Sequence, residues 1–272
     1  MTTIAMKAAA ATKAMESAAR GVGKRAFGRV AVAVLLGVLS SRAAAQSGED
    51  RPLPESYTHE PIELTSTSLR FRIDRRDGSF FIEDPQSRTI YYSRQGRRGF
   101  ATVVLADGEE RPIDRLEAVR ASGDFVRFRG ASSEGSVPEI ELEIAVFGPL
   151  LEISFLIAEE ARESIAAVRL LDGSPWVSDA DGGGIVVPDG LGRFVEAAAG
   201  ELAALRYEGQ LRETARGAPG YSTSALGLAR GDGTLLITWD DPRARLDIRR
   251  EEAKDARFPG TRLTTFALEF RG

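Results

Sequence analysis

The sequence contains no cysteine and a single histidine, His59, among its 272 residues. Without cysteine the chain can form no disulfide, thiol nucleophile or iron–sulfur cluster. One histidine leaves almost nothing from which to build a Ser-His-Asp triad or a zinc site. His59 lies in a proline-bounded segment before the first predicted strand, and this position favours an exposed linker residue over a catalytic one.

Long apolar runs are also missing. The longest, Val30–Leu39, has roughly half of the ~20 residues that a helix needs to span a bilayer. With 28% charged and 43% hydrophobic residues, the composition is that of a globular protein. Collagen-like, disordered and polytopic membrane classes are therefore excluded.

Residues 1–45 predict an export signal. A basic region comes first, followed by the apolar run Val30–Leu39 and by Ala43-Ala44-Ala45, which fits an A-x-A cleavage site before Gln46. Retention as a membrane anchor is the less favoured alternative, because the apolar run is short. Lys24-Arg25-Ala26-Phe27 resembles a twin-arginine signal with lysine in its first position, and ordinary Sec export is equally open. We expect a periplasmic or extracellular protein.

Cleavage of this leader would change the net charge from −4 to −10, because the leader has a net charge of +6. Lys254 is the only lysine after the leader, and arginine supplies the other positive charges. A strongly acidic domain lacks the basic stripe expected for nucleic acid and is repelled by an anionic membrane surface. We therefore expect neither partner.

Beyond a polar, proline-containing linker at 46–61, residues 62–272 alternate with a period of two, which is typical of half-buried strands. The pattern predicts that Ile140, Leu142, Ile144 and Val146 face a core while Glu139, Glu141 and Glu143 face water. Leu151, Ile153, Phe155 and Ile157 repeat the pattern, with Glu152 and Ser154 outward.

Turn sequences agree with an all-β chain. Asp77-Gly78 stands between two alternating runs and predicts a hairpin, and Asp107-Gly108, Asp172-Gly173 and Asp232-Gly233 predict further reversals. Only Glu196–Leu205 has a helical composition. A dozen to fourteen strands in a large two-sheet antiparallel sandwich are therefore predicted.

Trp239-Asp240-Asp241-Pro242 ends a predicted strand and is a candidate carbohydrate site. The Trp239 indole would stack on a pyranose while Asp240 and Asp241 accept hydroxyl hydrogen bonds, and Trp176 would be a second platform. The alternative places both tryptophans in the core and makes Asp240-Asp241-Pro242 a turn.

Asp179 and Asp181, which precede Gly182-Gly183-Gly184, are the only candidate metal ligands. A calcium loop needs further ligands at fixed offsets, and none follows in register, so a glycine-rich strand connection is the alternative and no metal or cofactor is expected. A pair of acids for glycoside hydrolysis cannot be chosen from the many Asp and Glu residues.

Three motifs resemble a known group of domains: Leu69–Asp74 with Asp77-Gly78 and Phe81–Pro85, then Gly184–Arg193, then Gly231–Asp241. They are similar to the N-terminal β-supersandwich, of galactose-mutarotase-like fold, in large secreted α-glycosidases of the α-glucosidase and endo-α-N-acetylgalactosaminidase groups. The resemblance spans most of residues 62–272.

In that family the catalytic acids lie mainly on a (β/α)₈ barrel that follows the sandwich. This sequence shows no alternating strand–helix region and stops after a strand, so the resemblance implies a domain without the catalytic barrel. No catalytic residue carries over. A free-standing mutarotase would use histidines and a glutamate, and residues 62–272 contain no histidine.

Three functions follow as hypotheses. The first is an exported non-catalytic sandwich that supports or contributes to carbohydrate binding, either as a fragment of a larger glycosidase or as an accessory module beside a downstream barrel domain. The second is a stand-alone carbohydrate-active enzyme that uses an unrecognised Asp/Glu pair. The third is a structural envelope protein without a ligand.

Overall fold

The computed structural model describes residues 61–93, 100–172, 175–178, 182–190, 192–197, 204–209, 220–231, 233–252 and 262–271, together with the backbone of residues 24–35. His59, Asp179 and Asp181 lie outside these ranges, as does the predicted linker except for Pro61. Almost all of the regular structure in these ranges is strand, which confirms the predicted all-β class.

Twenty strands and one short 3₁₀ helix, Glu159–Ser164, form the described part of the chain. In chain order the strands are β1 (Lys24–Leu35), β2 (Pro61–Thr65), β3 (Arg70–Asp74), β4 (Phe80–Asp84), β5 (Thr89–Tyr92), β6 (Ala101–Leu105), β7 (Glu110–Ile113), β8 (Arg115–Ala121), β9 (Phe125–Ala131), β10 (Ile140–Phe147), β11 (Leu150–Ala158), β12 (Ile165–Leu170), β13 (Val177–Ser178), β14 (Gly184–Val187), β15 (Arg193–Glu196), β16 (Ala204–Glu208), β17 (Ala225–Arg230), β18 (Gly233–Trp239), β19 (Arg245–Glu252) and β20 (Arg262–Arg271).

The strands form three antiparallel sheets. The nine-stranded sheet has the order β15-β14-β17-β18-β1-β11-β10-β9-β8. The seven-stranded sheet has the order β16-β19-β20-β12-β6-β7, with β13 paired to β20. A four-stranded sheet, β2-β3-β4-β5, is separate from both, and the sequence pattern did not distinguish it from the two large sheets.

The two large sheets enclose one hydrophobic core. Phe155 of β11 meets Phe270 of β20 edge to face, with ring centroids 5.8 Å apart. The small sheet closes the same core, because Phe71 and Phe80 pack on Phe100 at 6.3 and 5.3 Å. All five rings are fully buried. Each sheet has apolar residues at alternate positions, and packing these apolar faces together produces the layered sandwich.

Strands β10 and β11 confirm the predicted inward residues, since Ile140, Leu142, Ile144 and their β11 partners are fully buried. The prediction for the opposite face was wrong at three residues. Glu139 is exposed as predicted, but Glu141, Glu152 and Ser154 are buried. The guanidinium of Arg127, from neighbouring β9, lies 4.0 Å from the Glu141 carboxylate and helps to cover it.

The hairpin predicted at Asp77-Gly78 joins β3 to β4. Gly78 has a φ of 69°, a conformation that a side chain disfavours, and its amide donates to the carbonyl of Asp74 over 3.0 Å. The strand count was underestimated, because strands as short as β13 carry too few alternating residues to be recognised. The described ends of the supposedly helical Glu196–Leu205 segment belong to β15 and β16.

Residues Lys24–Leu35, assigned from sequence to the export signal, form β1 in the middle of the nine-stranded sheet. Cleavage of the leader after Ala45 stays a prediction. No helix within the described ranges is long and apolar enough to cross a membrane.

Candidate functional site

Trp239, the strongest sequence candidate for a sugar platform, lies in the core at the end of β18. It is 5% exposed. Its indole Nε1 donates a hydrogen bond to the Tyr221 hydroxyl over 3.2 Å, and the two rings meet edge to face at 5.3 Å. Neither face of the indole is open to a ligand in this arrangement.

The Tyr221 hydroxyl continues this contact into the following turn by donating to the carbonyl of Pro242 over 2.8 Å. Burial raises the pKa of Tyr221, against the lowering effect of the Trp239 donor, so the hydroxyl keeps its proton at neutral pH. Trp239 and Tyr221 therefore fix the turn that follows β18.

Asp240 and Asp241 occupy that turn in different ways. Asp241 accepts hydrogen bonds from the Arg243 amide and side chain at 2.8 and 3.3 Å, the arrangement of an Asx turn. Asp240 is exposed. The two carboxylates thus do not flank an open aromatic ring.

Trp176 lies in a different cluster from Trp239. It is 2% exposed and packs with Leu263 and Tyr92. The guanidinium of Arg230 lies 5.1 Å from the Trp176 ring centroid and 5.6 Å from that of Tyr92. Arg230 also donates to the Ile90 carbonyl over 2.7 Å, so the cluster ties β17 to β5.

An exposed aromatic ring occurs instead on β15, the edge strand of the nine-stranded sheet. Phe194 is 52% exposed, and Phe147, at 39%, is the only other exposed aromatic side chain in the described ranges. The Phe194 ring lies against Gly184 of β14, because a Cβ placed on that glycine would be 2.4 Å from the ring. One side of the ring is thus packed on backbone while much of the ring remains open to solvent.

Glu196 stands two residues from Phe194 on β15 and therefore on the same face of the strand. It is exposed and lies opposite Gly184 in the register of β14 and β15. An exposed aromatic ring beside a carboxylate is the arrangement that the sequence predicted at Trp239. Nothing in the sequence distinguished Phe194 among 13 phenylalanines, most of which pattern as core residues.

The glycines beside the candidate metal ligands have a packing role. Gly183 approaches β17 so closely that a Cβ would be 2.4 Å from the carbonyl oxygen of Ala229. Asp179 and Asp181 themselves are outside the described residues. Within the described ranges, no group of three or more His, Asp or Glu side chains is placed to hold a metal ion.

We expect Gly183→Ala to destabilise the protein by about 1–3 kcal/mol, because the new methyl group would collide with backbone rather than with a movable side chain. Chemical denaturation measures the change. Gly123→Ala is the matched control, since a Cβ there would meet nothing within 4 Å. Equal stability of the two variants would contradict the packing role.

A network of arginines and carboxylates covers the outer face of the seven-stranded sheet. Glu269 of β20 lies between Arg169 of β12 and Arg245 of β19, with N···O distances of 2.8 and 3.0 Å. Asp247, next to Arg245 on the same face, binds Arg206 at 2.9 Å. Both carboxylates are buried.

Burial alone would raise the pKa of Glu269, but hydrogen bonds and charge from Arg169, Arg245 and Arg271 outweigh it and hold the pKa below its ordinary value. The carboxylate is therefore ionised at neutral pH and has no proton to donate. Alternating charge on β19, in Arg245-Leu-Asp-Ile-Arg249, was the sequence signal for this network.

A depression of about 450 Å³ lies along the connection from β9 to β10. Its lining includes Arg129, Val137, Pro138 and Glu139, with no aromatic ring. It therefore offers less to a sugar than the Phe194 face does.

With this geometry in hand, the fold can be compared with known proteins. No family model matches the chain, and no curated protein is similar in sequence. A solved structure of α-N-acetylgalactosaminidase NagBb from Bifidobacterium bifidum, in complex with GalNAc, aligns with a TM-score of 0.55 and 16% identity. The folds are similar.

The alignment covers 77% of this chain and 33% of the NagBb chain. A quadruple mutant of NagBb aligns over the same shares with a TM-score of 0.51 and 13% identity. This chain thus spans about a third of the length of these neighbours. Both neighbours are glycosidase structures. The resemblance of the strand and turn motifs was likewise to domains of α-glycosidases.

Proposed function

We propose that the chain is an exported, non-catalytic β-sandwich of the glycoside hydrolase type that contributes to carbohydrate binding beside a catalytic domain. The observation that carries the proposal is the structural similarity to one third of an α-N-acetylgalactosaminidase. In this proposal the matching part is the galactose-mutarotase-like supersandwich, and the partner is a barrel domain that holds the catalytic acids.

The state of two buried carboxylates, Glu269 and Asp247, supports a non-catalytic role. Glycoside hydrolysis needs a carboxylic acid that carries a proton near neutral pH and a second carboxylate across the substrate. Glu269 is held ionised by arginines, and Asp247 is bound by Arg206 and Arg245. Both act as structural ion-pair partners, which argues against the stand-alone enzyme.

The Phe194 face is the carbohydrate contact in this proposal. A ring that is packed on one side and open on the other can stack on the apolar face of a pyranose, and an exposed carboxylate can accept hydroxyl hydrogen bonds. Phe194 and Glu196 provide these two groups on one strand. Since Trp239 and Trp176 are buried, they support the scaffold in this proposal and leave the contact to Phe194.

Binding of the full chain to a glycan array that includes α-linked N-acetylgalactosamine tests the proposal. We expect Phe194→Ala to weaken the binding about tenfold, the loss of one stacking contact. Phe147→Ala removes an exposed ring elsewhere on the same sheet and should leave the affinity unchanged. A chain that binds no glycan above background would contradict the carbohydrate role.

The non-catalytic part is tested with aryl α-N-acetylgalactosaminides and other aryl glycosides. We expect no turnover by the full chain. Hydrolysis that disappears in a carboxylate variant such as Asp240→Asn would overturn this part and support the stand-alone enzyme.

A further inference from the structure

Strand β1 is the only link between two halves of the nine-stranded sheet among the pairings that the structure describes. On one side it pairs with β11, from Lys24 opposite Ala158 to Ala33 opposite Leu150. On the other it pairs with β18, from Val30 opposite Trp239 to Leu35 opposite Thr234. Without β1 the sheet would separate into β15-β14-β17-β18 and β11-β10-β9-β8.

The register of β1 places its alternate residues opposite core residues of both neighbouring strands. Val30 and Val32 lie opposite Ile153 and Leu151 of β11, and opposite Trp239 and Ile237 of β18. Those four partners are core residues. Opposed residues of an antiparallel pair share a face of the sheet, so the register puts positions 30 and 32 on the same face as these core residues.

The sequence of this segment has the period of a strand. Valine stands at 30, 32 and 34 and alanine at 31 and 33. The apolar run of an export signal requires hydrophobicity but no such alternation. A β-branched residue at every second position favours an extended segment in a sheet.

Strands β11 and β18 require a neighbour for their backbones. Each strand is long and carries fully buried side chains, such as Phe155 in β11 and Ile237 in β18. Left open, their facing edges would present rows of unpaired N–H and C=O groups above an apolar core, which is a template for pairing with another strand.

We propose that the gap between β11 and β18 is a strand-acceptor site and that Lys24–Leu35 is its occupant in the uncleaved chain. The predicted leader thus has a second role as a structural strand. This role is independent of any carbohydrate contact, because it concerns pairing inside the sheet.

Hydrogen exchange of the uncleaved full-length protein tests the occupancy directly. We expect the amides of residues 30–33, which have a strand on each side, to exchange at least about 100-fold more slowly than a free peptide. Exchange at free-peptide rates, with β10 and β11 still protected, would overturn the proposal.

A pair of proline variants provides the matched comparison. A central strand directs successive amides to alternate neighbours, so Val32→Pro removes a ladder hydrogen bond whichever neighbour accepts it. We expect its Tm to fall by about 6–12 °C. Val38→Pro lies in the same apolar run but beyond the end of β1, and its Tm should equal that of the wild type.

Equal Tm values for the two proline variants would contradict the structural role of β1. A Val32→Pro chain that fails to fold, beside a folded Val38→Pro chain, supports it. The wild-type exchange measurement decides the question in either case.

Discussion

Replacing Trp239 with alanine should lower the free energy of unfolding by about 3–5 kcal/mol, the cost of removing a large buried ring. The substitution also leaves the buried Tyr221 hydroxyl without its indole donor. Equilibrium denaturation of the full chain measures the change. The loss should appear in the absence of any glycan, because Trp239 is a core residue.

Two smaller changes separate packing from hydrogen bonding at this corner. Trp239→Phe keeps one aromatic ring but removes the Nε1 donor and part of the buried ring volume, so we expect a loss smaller than that of Trp239→Ala. Tyr221→Phe removes both the acceptor of the Trp239 indole and the donor to the Pro242 carbonyl, and should cost about 1–3 kcal/mol. Unchanged stability of Trp239→Ala together with lost glycan binding would show that the ring is a ligand platform after all.

Glu269→Gln should destabilise the protein by about 3 kcal/mol at pH 7, because it removes the carboxylate on which three arginines converge. Arg169 and Arg245 are largely covered, and each would lose one of its two carboxylate partners, keeping only Glu110 and Asp247, respectively. Glu117→Gln is the matched control, since Glu117 pairs with Arg129 on an exposed surface. Its effect should stay within about 0.5 kcal/mol.

The difference between wild type and Glu269→Gln should depend on pH in a defined direction. The pKa of Glu269 is lower in the folded protein than the value of about 4.3 expected when unfolded. Its stabilisation is therefore complete above that value and disappears as the pH falls through the folded-state pKa. A difference that grew on acidification would show that Glu269 is protonated in the fold.

The strands were predictable wherever alternation extends over several residues. Ile140–Val146 and Leu151–Ile157 gave the correct inward faces because a period of two defines a half-buried strand. The outward face was less certain, since burial of Glu141 depends on Arg127 from a neighbouring strand. Such cover comes from pairing between strands and is invisible in a single segment.

The candidate site shows the same limit. The choice between core and platform for Trp239 depends on Tyr221 and Pro242, which only the folded chain brings to it. Phe194 is exposed because β15 lies at a sheet edge, and strand order is a property of topology. The Arg169–Glu269–Arg245 contact likewise joins residues that are far apart in sequence.

The position of β1 also determines when the nine-stranded sheet can form during synthesis of the chain. Its partner β11 begins at Leu150 and its partner β18 ends at Trp239, so the nine-stranded sheet cannot close until most of the chain has been made. At roughly 5–20 residues per second, synthesis from Leu35 to Trp239 takes about 10–40 s. In the export that we propose, the apolar run is available to the export machinery during that interval.

Once the sheet has closed, the same residues are held between two strands and can no longer be recognised. In the proposed export, translocation and folding would therefore compete for one segment, and the slow formation of long-range pairings would give translocation the first opportunity. If the proposed signal acts before β1 pairs, the chain would cross the membrane unfolded, as in Sec-type export, whereas a folded chain would hold residues 24–35 inside the sheet.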